Sequence, residues 1–512
     1  MNLWNFHGGL HLDGKKKLSN EPAIMPAEIP SHLVLPLLQH YGEPTEAIVR
    51  VGDNVLKGQA ISQCQGGKDC QLIVSAPIHA PTSGTVVAIE PREVPHPSGL
   101  TAPCIVIETD GEDRWTTLQP LVDYAGRDPS EVRKHIAQAG LVGLGGAGFP
   151  SHLKLKPQGI DTLIVNGAEC EPYITCDDRL MREKPHDIVS GAEVLMHVLG
   201  GAQRCIIAVE DNKIEAYLAL LEVSQLINRL NQSNNKQGLI EVVKVPTLYP
   251  TGGERQLIRI LTGLEIGRAI LPAQCGIVVH NVETVRAAHQ AVIEGRPLIS
   301  RVITVTGTGV ETPRNLEVLL GTSIKNLVDQ CGRKPFIRRL VMGGPMMGFT
   351  LPHDGMPVIK TTNCLMISTQ EEIQALPTPM PCIRCGACEK TCPVNLLPQQ
   401  LYWHAKAKDF KRVQAHHLFD CIECGCCAYV CPSHIPLVSY YRYAKAEIRA
   451  TERERKQADI AKQRHEFKIF RIEREKIEKA AKHQQRRAEI EAVGAVAIDA
   501  AVERVQAKQL DQ

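Results

Sequence analysis

Two cysteine runs near the C-terminal end share one spacing: Cys382-x2-Cys385-x2-Cys388-x3-Cys392-Pro393 and Cys421-x2-Cys424-x2-Cys427-x3-Cys431-Pro432. A cubane needs four thiolates, and runs of this form hold pairs of 4Fe-4S clusters. The first three cysteines of each run fit on one tight loop, whereas the fourth is expected to open a helix leading away from it. The fourth thiolate therefore serves the other cluster. One cluster is assigned to Cys382, Cys385, Cys388 and Cys431, the second to Cys421, Cys424, Cys427 and Cys392. A structural zinc site needs only paired C-x2-C knuckles and leaves the third cysteine and the Cys-Pro pair unexplained. A segment built this way passes single electrons.

The chain has 512 residues, 43% of them hydrophobic, enough for three or four domains with cores of their own. Lys plus Arg (58) nearly balance Asp plus Glu (56), so charge gives no footprint for nucleic acid. No run of about 18 apolar residues is present, and no direct membrane insertion is expected. The N-terminal MNLWNFHGGLHLDGKKK lacks the apolar core of a signal peptide. Eighteen cysteines without an export signal point to a reducing, cytoplasmic compartment. Outside the two runs, Cys64, Cys70, Cys104, Cys170, Cys176, Cys205, Cys275, Cys331 and Cys364 have no metal spacing and read as small buried apolar residues, with Cys426 a spare beside a ligand. The 19 histidines form no ligand pattern.

The expected architecture is α/β and multidomain. After an N-terminal arm (1–30), residues 31–115 carry short β-type runs with Gly and Pro, among them Glu46 to Gln59 and Ser75 to Val87. They resemble the barrel-sandwich of lipoyl and biotinyl domains, but Cys64-Gln-Gly-Gly-Lys-Asp-Cys70 stands where a Met-Lys pair would carry the cofactor, so a structural module is expected. Over 116–300, helical stretches (Ser130 to Ala139, Ile214 to Leu230, Val282 to Glu294) alternate with apolar runs (Thr162 to Val165, Cys205 to Val209, Ile240 to Val245), which argues an α/β domain. Residues 301–360 read as a strand (Arg301 to Gly307) and a short helix (Ser323 to Cys331), similar to a β-grasp ligand-binding module. A proline-rich tether leads into an α-helical double-cluster segment, 371–440, and 441–512 reads as a charged, solvated helical tail.

Gly143-Leu-Gly-Gly-Ala-Gly148 satisfies G-x-G-x-x-G literally. A Rossmann fingerprint comes after a strand and opens a long helix, yet here a helical pattern precedes the loop, and Pro150 and Pro157 interrupt the stretch beyond it. Closely spaced glycines still let backbone approach a ligand and offer N–H groups to phosphate.

The longer string Gly140-Leu-Val-Gly-Leu-Gly-Gly-Ala-Gly-Phe-Pro-Ser-His-Leu-Lys154 resembles the flavin loop of the NADH-binding flavoprotein subunit of respiratory complex I. Val165-Asn-Gly-Ala-Glu-Cys-Glu-Pro172, Tyr249-Pro-Thr-Gly-Gly-Glu254 and Asn281-Val-Glu-Thr284 keep the same order. Joined to a barrel-sandwich and a double-cubane segment, this resembles the RnfC family, the C component of the Rnf (Rsx) ion-translocating electron transport complex.

That resemblance implies FMN contacts from Gly143, Gly145, Gly146 and Lys154, with Asn166 and Glu169 nearby, Asn281 and Thr284 closing the phosphate end, and Glu171 and Glu254 on the nicotinamide side. Phe149 would either stack on a ring or pack as a buried core residue. The chain departs from complex I at Leu144, Ala168 and Pro157, where arginine, aspartate and an aromatic residue stand.

The implied function is an electron-input oxidoreductase subunit of a translocase, working between NAD(H), FMN and two 4Fe-4S clusters. Its implied partners are ferredoxin-type and membrane flavoprotein subunits, and its place the cytoplasmic side of the bacterial inner membrane, peripherally. The alternative is a soluble flavin and iron-sulfur cobalamin reductase of a diol-degrading microcompartment.

Overall fold

The computed structural model describes residues 3–65, 73–96, 99–146, 148–156, 159–233, 238–267, 270–372 and 378–510. Pro157 and the stretch from Gly66 to Cys70 lie outside the described residues.

The barrel-sandwich portion is a four-stranded antiparallel sheet, His32–Pro36, Thr101–Thr109, Gly84–Glu93 and Asn54–Val55, beside the pair Thr45–Ala47 and Ser62–Cys64. Leu33, Leu35, Val86 and the unbroken run Cys104 to Ile107 are buried in it.

The central domain is a four-stranded parallel sheet ordered Leu239–Val245, Arg204–Glu210, Thr162–Gly167, Ile277–Asn281. Parallel strands are covered by helices on both faces, which is why Leu163 to Val165 and Cys205 to Val209 are buried without alternation. Helices Pro129–Gln138, Cys176–Glu183, Pro185–Val198, Ile214–Ser233, Glu254–Thr262 and Val282–His289 provide the cover. Two begin on local signals legible in the sequence. Asp128 accepts the Ser130 N–H at 2.8 Å with Pro129 at the first helical position, and Asn281 accepts the Glu283 N–H at 2.9 Å. The helical expectation for Val282 to Glu294 resolves into an α-helix to His289 and a π-helical turn, Gln290–Glu294.

A six-stranded mixed sheet comes next, ordered Met25–Pro26, Arg314–Leu319, Ser300–Thr306, Cys364–Thr369, Ile337–Met342, Phe349–Thr350. It draws its first strand from the N-terminal arm and runs on to Thr369. Ser323 caps its helix, Ile324–Gln330, by accepting the Asn326 N–H at 3.3 Å.

In the cysteine segment each third ligand candidate lies within a one-turn helix, Ala387–Lys390 or Cys426–Tyr429. The fourth does not open a helix, contrary to the sequence expectation. Cys392 sits in a turn, and the next helix starts at Pro398, whose ring suits a first helical position. The two runs repeat one backbone path. Arg384 and Glu423, Gly386 and Gly425, and Asn395 and His434 occupy matching places and all have left-handed φ, between 50° and 82°.

The last helix, Leu437–Leu510, packs Leu437, Tyr441, Ala444 and Ile448 on this segment and is then exposed over 451–493. Pairs such as Lys462–Glu466, Arg471–Glu475 and Arg474–Glu478 support a solvated helix. Among the described residues no helix is long and apolar enough to cross a membrane.

Among the described residues three cysteines depart from the reading as small buried apolar residues, Cys170 being only partly buried. Cys64 is disulfide-bonded, and Cys275 is exposed.

Candidate flavin crevice and cluster sites

In chain order the parallel strands of the central sheet lie 3-2-1-4, so the order reverses between Thr162–Gly167 and Ile277–Asn281. Connections leave to opposite sides there, opening a crevice at the carboxyl ends of the two strands. Asn166 and Asn281 are register partners at those ends. A sequence does not state strand order, so this placement was not legible from the motifs.

The glycine loop closes on itself: Gly143 donates to the Phe149 carbonyl at 2.7 Å and Gly148 to the Gly143 carbonyl at 3.1 Å. It is pinned at Leu144, whose N–H donates to Thr284 Oγ1 at 2.9 Å and whose carbonyl accepts from Arg301 at 3.0 Å. Arg301 is itself paired with Glu283, both buried. Gly145 and Gly146 remain exposed. A Cβ on Gly146 would meet nothing within 4 Å, whereas one on Gly145 would stand 3.2 Å from Asn281 Cβ. This bare backbone ledge is the cradle a planar or phosphate-bearing ligand requires. Phe149 packs against Tyr41, ring centres 6.1 Å apart.

Lys154 Nζ donates to Glu254 Oε1 at 2.7 Å and to the Val279 carbonyl at 2.9 Å, holding both charged groups at a half-exposed edge. Asn166 Nδ2 donates to the Gly252 carbonyl at 2.8 Å, and Asn281 Nδ2 to Asp177 Oδ2 at 2.6 Å. Glu169 is buried and accepts the Asp177 N–H at 2.8 Å; its Oε2 has no hydrogen-bond partner among the described residues and lies 3.7 Å from Lys16 Nζ. Lys16, from the N-terminal arm, also donates to the carbonyls of Glu169, Glu171 and Ile174. Glu171 is turned away from the glycine ledge. Its Oε1 accepts the N–H groups of Met346 (2.7 Å) and Met347 (3.0 Å), and burial pushes its carboxyl above the usual range. Thus Gly145, Gly146, Asn166, Glu169 and Asn281 meet at one crevice, Thr284 and Gly143 shape its loop, Lys154 and Glu254 form a pair, and Glu171 caps a neighbouring turn. Lys16, Asp177 and Arg301 escaped the sequence reading because they carry no motif and act from distant segments.

Cys392, Cys421, Cys424 and Cys427 line a single small cavity with Cys426, Leu396, Leu401 and Tyr441. Four sulfur donors around an apolar cavity fit an iron-sulfur cluster. Cys382, Cys388 and Cys431 pack around the same core, and Cys385 is exposed. Tyr249 donates to the Cys424 carbonyl at 2.6 Å, Gln256 to the Pro393 carbonyl at 3.4 Å, and the His7 ring lies 3.0 Å from the Cys392 carbonyl. The cavity of the second run is therefore the one fastened to the central domain.

Residues 136–290 match the Nuo51 FMN-binding domain, 4–112 the RnfC barrel sandwich hybrid domain, 302–350 the SLBB domain and 381–435 the 4Fe-4S dicluster domain. The chain is 44% identical over 506 residues to the C component of an ion-translocating oxidoreductase complex from Yersinia pestis, covering 98% of this chain and 79% of that protein. The chain belongs to this RnfC family. The corresponding protein of Vibrio cholerae is 48% identical over 516 residues, and the chain spans 64% of its length. A looser likeness, with a TM-score of 0.47 and 18% identity over 64% of each chain, is to an NAD+-reducing nickel-iron hydrogenase. The chain joins an FMN-binding domain and a 4Fe-4S dicluster domain, and these matches fall on the crevice and the cysteine segment described above.

Proposed function

We propose that this chain is the electron-input subunit of an ion-translocating oxidoreductase complex, binding FMN in the crevice and two 4Fe-4S clusters in the cysteine segment. The observation that carries the reading is the segment Tyr249 to Glu254. At one end it faces the crevice through Asn166–Gly252 and Glu254–Lys154, and at the other it is bonded to Cys424.

FMN, when bound, joins the two-electron chemistry of nicotinamide to the one-electron chemistry of the clusters. This chain's residues do the rest. Gly143 shapes the ledge that Gly145 and Gly146 offer. Lys154 faces anionic groups, Asn166 and Asn281 supply amides at the strand ends, Glu169 lines the floor, and Thr284 with Arg301 fixes the loop. Glu254, at the half-exposed edge, suits ribose hydroxyls of NAD(H). Glu171 stands on the side of the cluster segment. Cys392, Cys421, Cys424 and Cys427 hold the cluster nearer the crevice. Cys382, Cys385, Cys388 and Cys431 hold the outer one, where exposed Cys385 suits exchange with a ferredoxin-type partner. Attachment to the cytoplasmic face of a membrane is through other subunits.

Stopped-flow absorbance on the anaerobic full chain tests this order. NADH should bleach the flavin before the clusters; cluster bleaching that comes first would overturn it.

A further inference from the structure

Five elements converge beneath the glycine ledge on charged groups. Glu169 comes from the turn after strand Thr162–Gly167, Asp177 and Cys176 from helix Cys176–Glu183, Glu283 from helix Val282–His289, Arg301 from strand Ser300–Thr306 and Lys16 from the N-terminal arm. One ligand atom each of Glu169, Cys176 and Asp177 lies within 4.8 Å of the others. The two cations are not evenly shared. Arg301 is paired with Glu283, and Lys16 stands beside Glu169. Asp178, on the same helix as Asp177, is turned to Lys213 and Arg182, and Glu210 faces Lys16 and Lys213. Asp177 makes no ion pair among the described residues, and its carboxyl accepts only the Asn281 amide. Arg301 is held by Glu283 and Lys16 is shared between Glu169 and Glu210, so the carboxylates here outnumber the cations, and Asp177 has no cation in ion-pair contact among the described residues.

Asp177 reaches the ledge through one residue. Asn281 gives its amide to Asp177, and its Cβ is the atom that a side chain on Gly145 would crowd. We propose that Asp177 is carried as a neutral carboxylic acid in the resting protein and serves, through Asn281, as a proton-holding positioning residue for the flavin crevice. The proposal rests on reading that crevice as the flavin site. Asp177 is half-buried, and its withdrawal from water, with Glu169 and Glu283 close by, pushes it up to about 8, which agrees with the charge count.

The chemistry balances. Hydride transfer from a nicotinamide brings two electrons and one proton into the crevice and leaves a negative charge there. A neutral Asp177 lets that charge form without an opposing carboxylate. As the electrons leave one at a time, the hydride-derived proton goes to solvent and Asp177 keeps its own. Above a pH of about 8, Asp177 is ionised before reduction, so reduction also draws one solvent proton onto it.

Infrared titration of the flavin-free full chain tests the acid itself. A carboxylic acid carbonyl band should be present at neutral pH, fade through about pH 8, be absent from Asp177→Asn and persist, shifted, in Asp177→Glu, which is also the folding control. In the FMN-loaded chain, the flavin midpoint potentials of wild type and Asp177→Asn should coincide below about pH 8 and separate above it, the variant higher. Lack of the Asp177-dependent band at neutral pH would overturn the proposal, as would a potential offset that is the same at every pH, the result an ionised Asp177 gives. If neither protein retained FMN, the flavin reading would fail while the infrared result still judged Asp177.

Discussion

Tyr249 donates its buried hydroxyl to the Cys424 carbonyl at 2.6 Å, bonding the loop that faces the crevice to the loop that carries a cluster ligand. The phenol has no water to turn to, so removing the hydroxyl leaves a buried carbonyl without that donor. Tyr249→Phe should lower stability by about 1 kcal/mol. It should also loosen the seam between the two segments while leaving iron content unchanged. Urea unfolding followed by cluster absorbance measures the first, and amide exchange at residues 421–427 the second. Unchanged exchange would show that the bond does not hold the seam.

Cys392 belongs to the first run by sequence and to the second run's cavity by position. Cys392→Ser should therefore damage the cluster of Cys421, Cys424 and Cys427 and spare the other. Electron paramagnetic resonance of the reduced protein distinguishes them. Loss of the cluster of Cys382, Cys385 and Cys388 would contradict the crossed ligand sets.

Lys154 and Glu254 are 2.7 Å apart, so each change should be felt by its partner. Lys154→Ala should reduce FMN occupancy several-fold without altering acid-labile sulfide, because the clusters are held elsewhere. Glu254→Gln should slow reduction by NADH and leave reduction by dithionite, which needs no nucleotide pocket, at the wild-type rate. Equal slowing by both reductants would remove Glu254 from nucleotide binding.

How much of the fold and site the sequence shows depends on how local each signal is. The cysteine runs are legible because their ligands lie within eleven residues, and their repeated left-handed positions come from the same local spacing. The glycine ledge is legible for the same reason. Lys16 is not, since it reaches Glu169 across 153 residues and its neighbours in sequence resemble an exposed basic run. Strand Met25–Pro26 is equally hidden, because two residues without periodicity gain their pairing only from the edge at Leu316–Glu317. Glu171 shows a third case. Its motif places it beside Glu169, but the side chain is claimed by the Met346 and Met347 amides of a domain more than 170 residues away.

Lys360 joins three domains through one ammonium, and that makes its titration a stability measurement. It is fully buried and donates to the Pro77 carbonyl of the barrel-sandwich at 2.7 Å and the Gly140 carbonyl before the glycine loop at 2.8 Å. Among the described residues no carboxylate pairs with it, and burial brings it down from 10.5 to about 7. Between those values the unfolded chain binds a proton at this lysine and the folded chain does not. Stability should therefore rise with pH through that window, by about 1.4 kcal/mol per unit from this group, and be independent of it below about 7. In Lys360→Met the two carbonyls lose their donor, lowering stability at the alkaline end, while the slope falls by one proton. Unfolding free energies of wild type and variant at several pH values, taken as a difference, isolate the lysine from cysteines and tyrosines that titrate in the same range. A difference that does not change with pH would mean that Lys360 keeps its proton in the folded chain, held by the two carbonyls against the cost of burial.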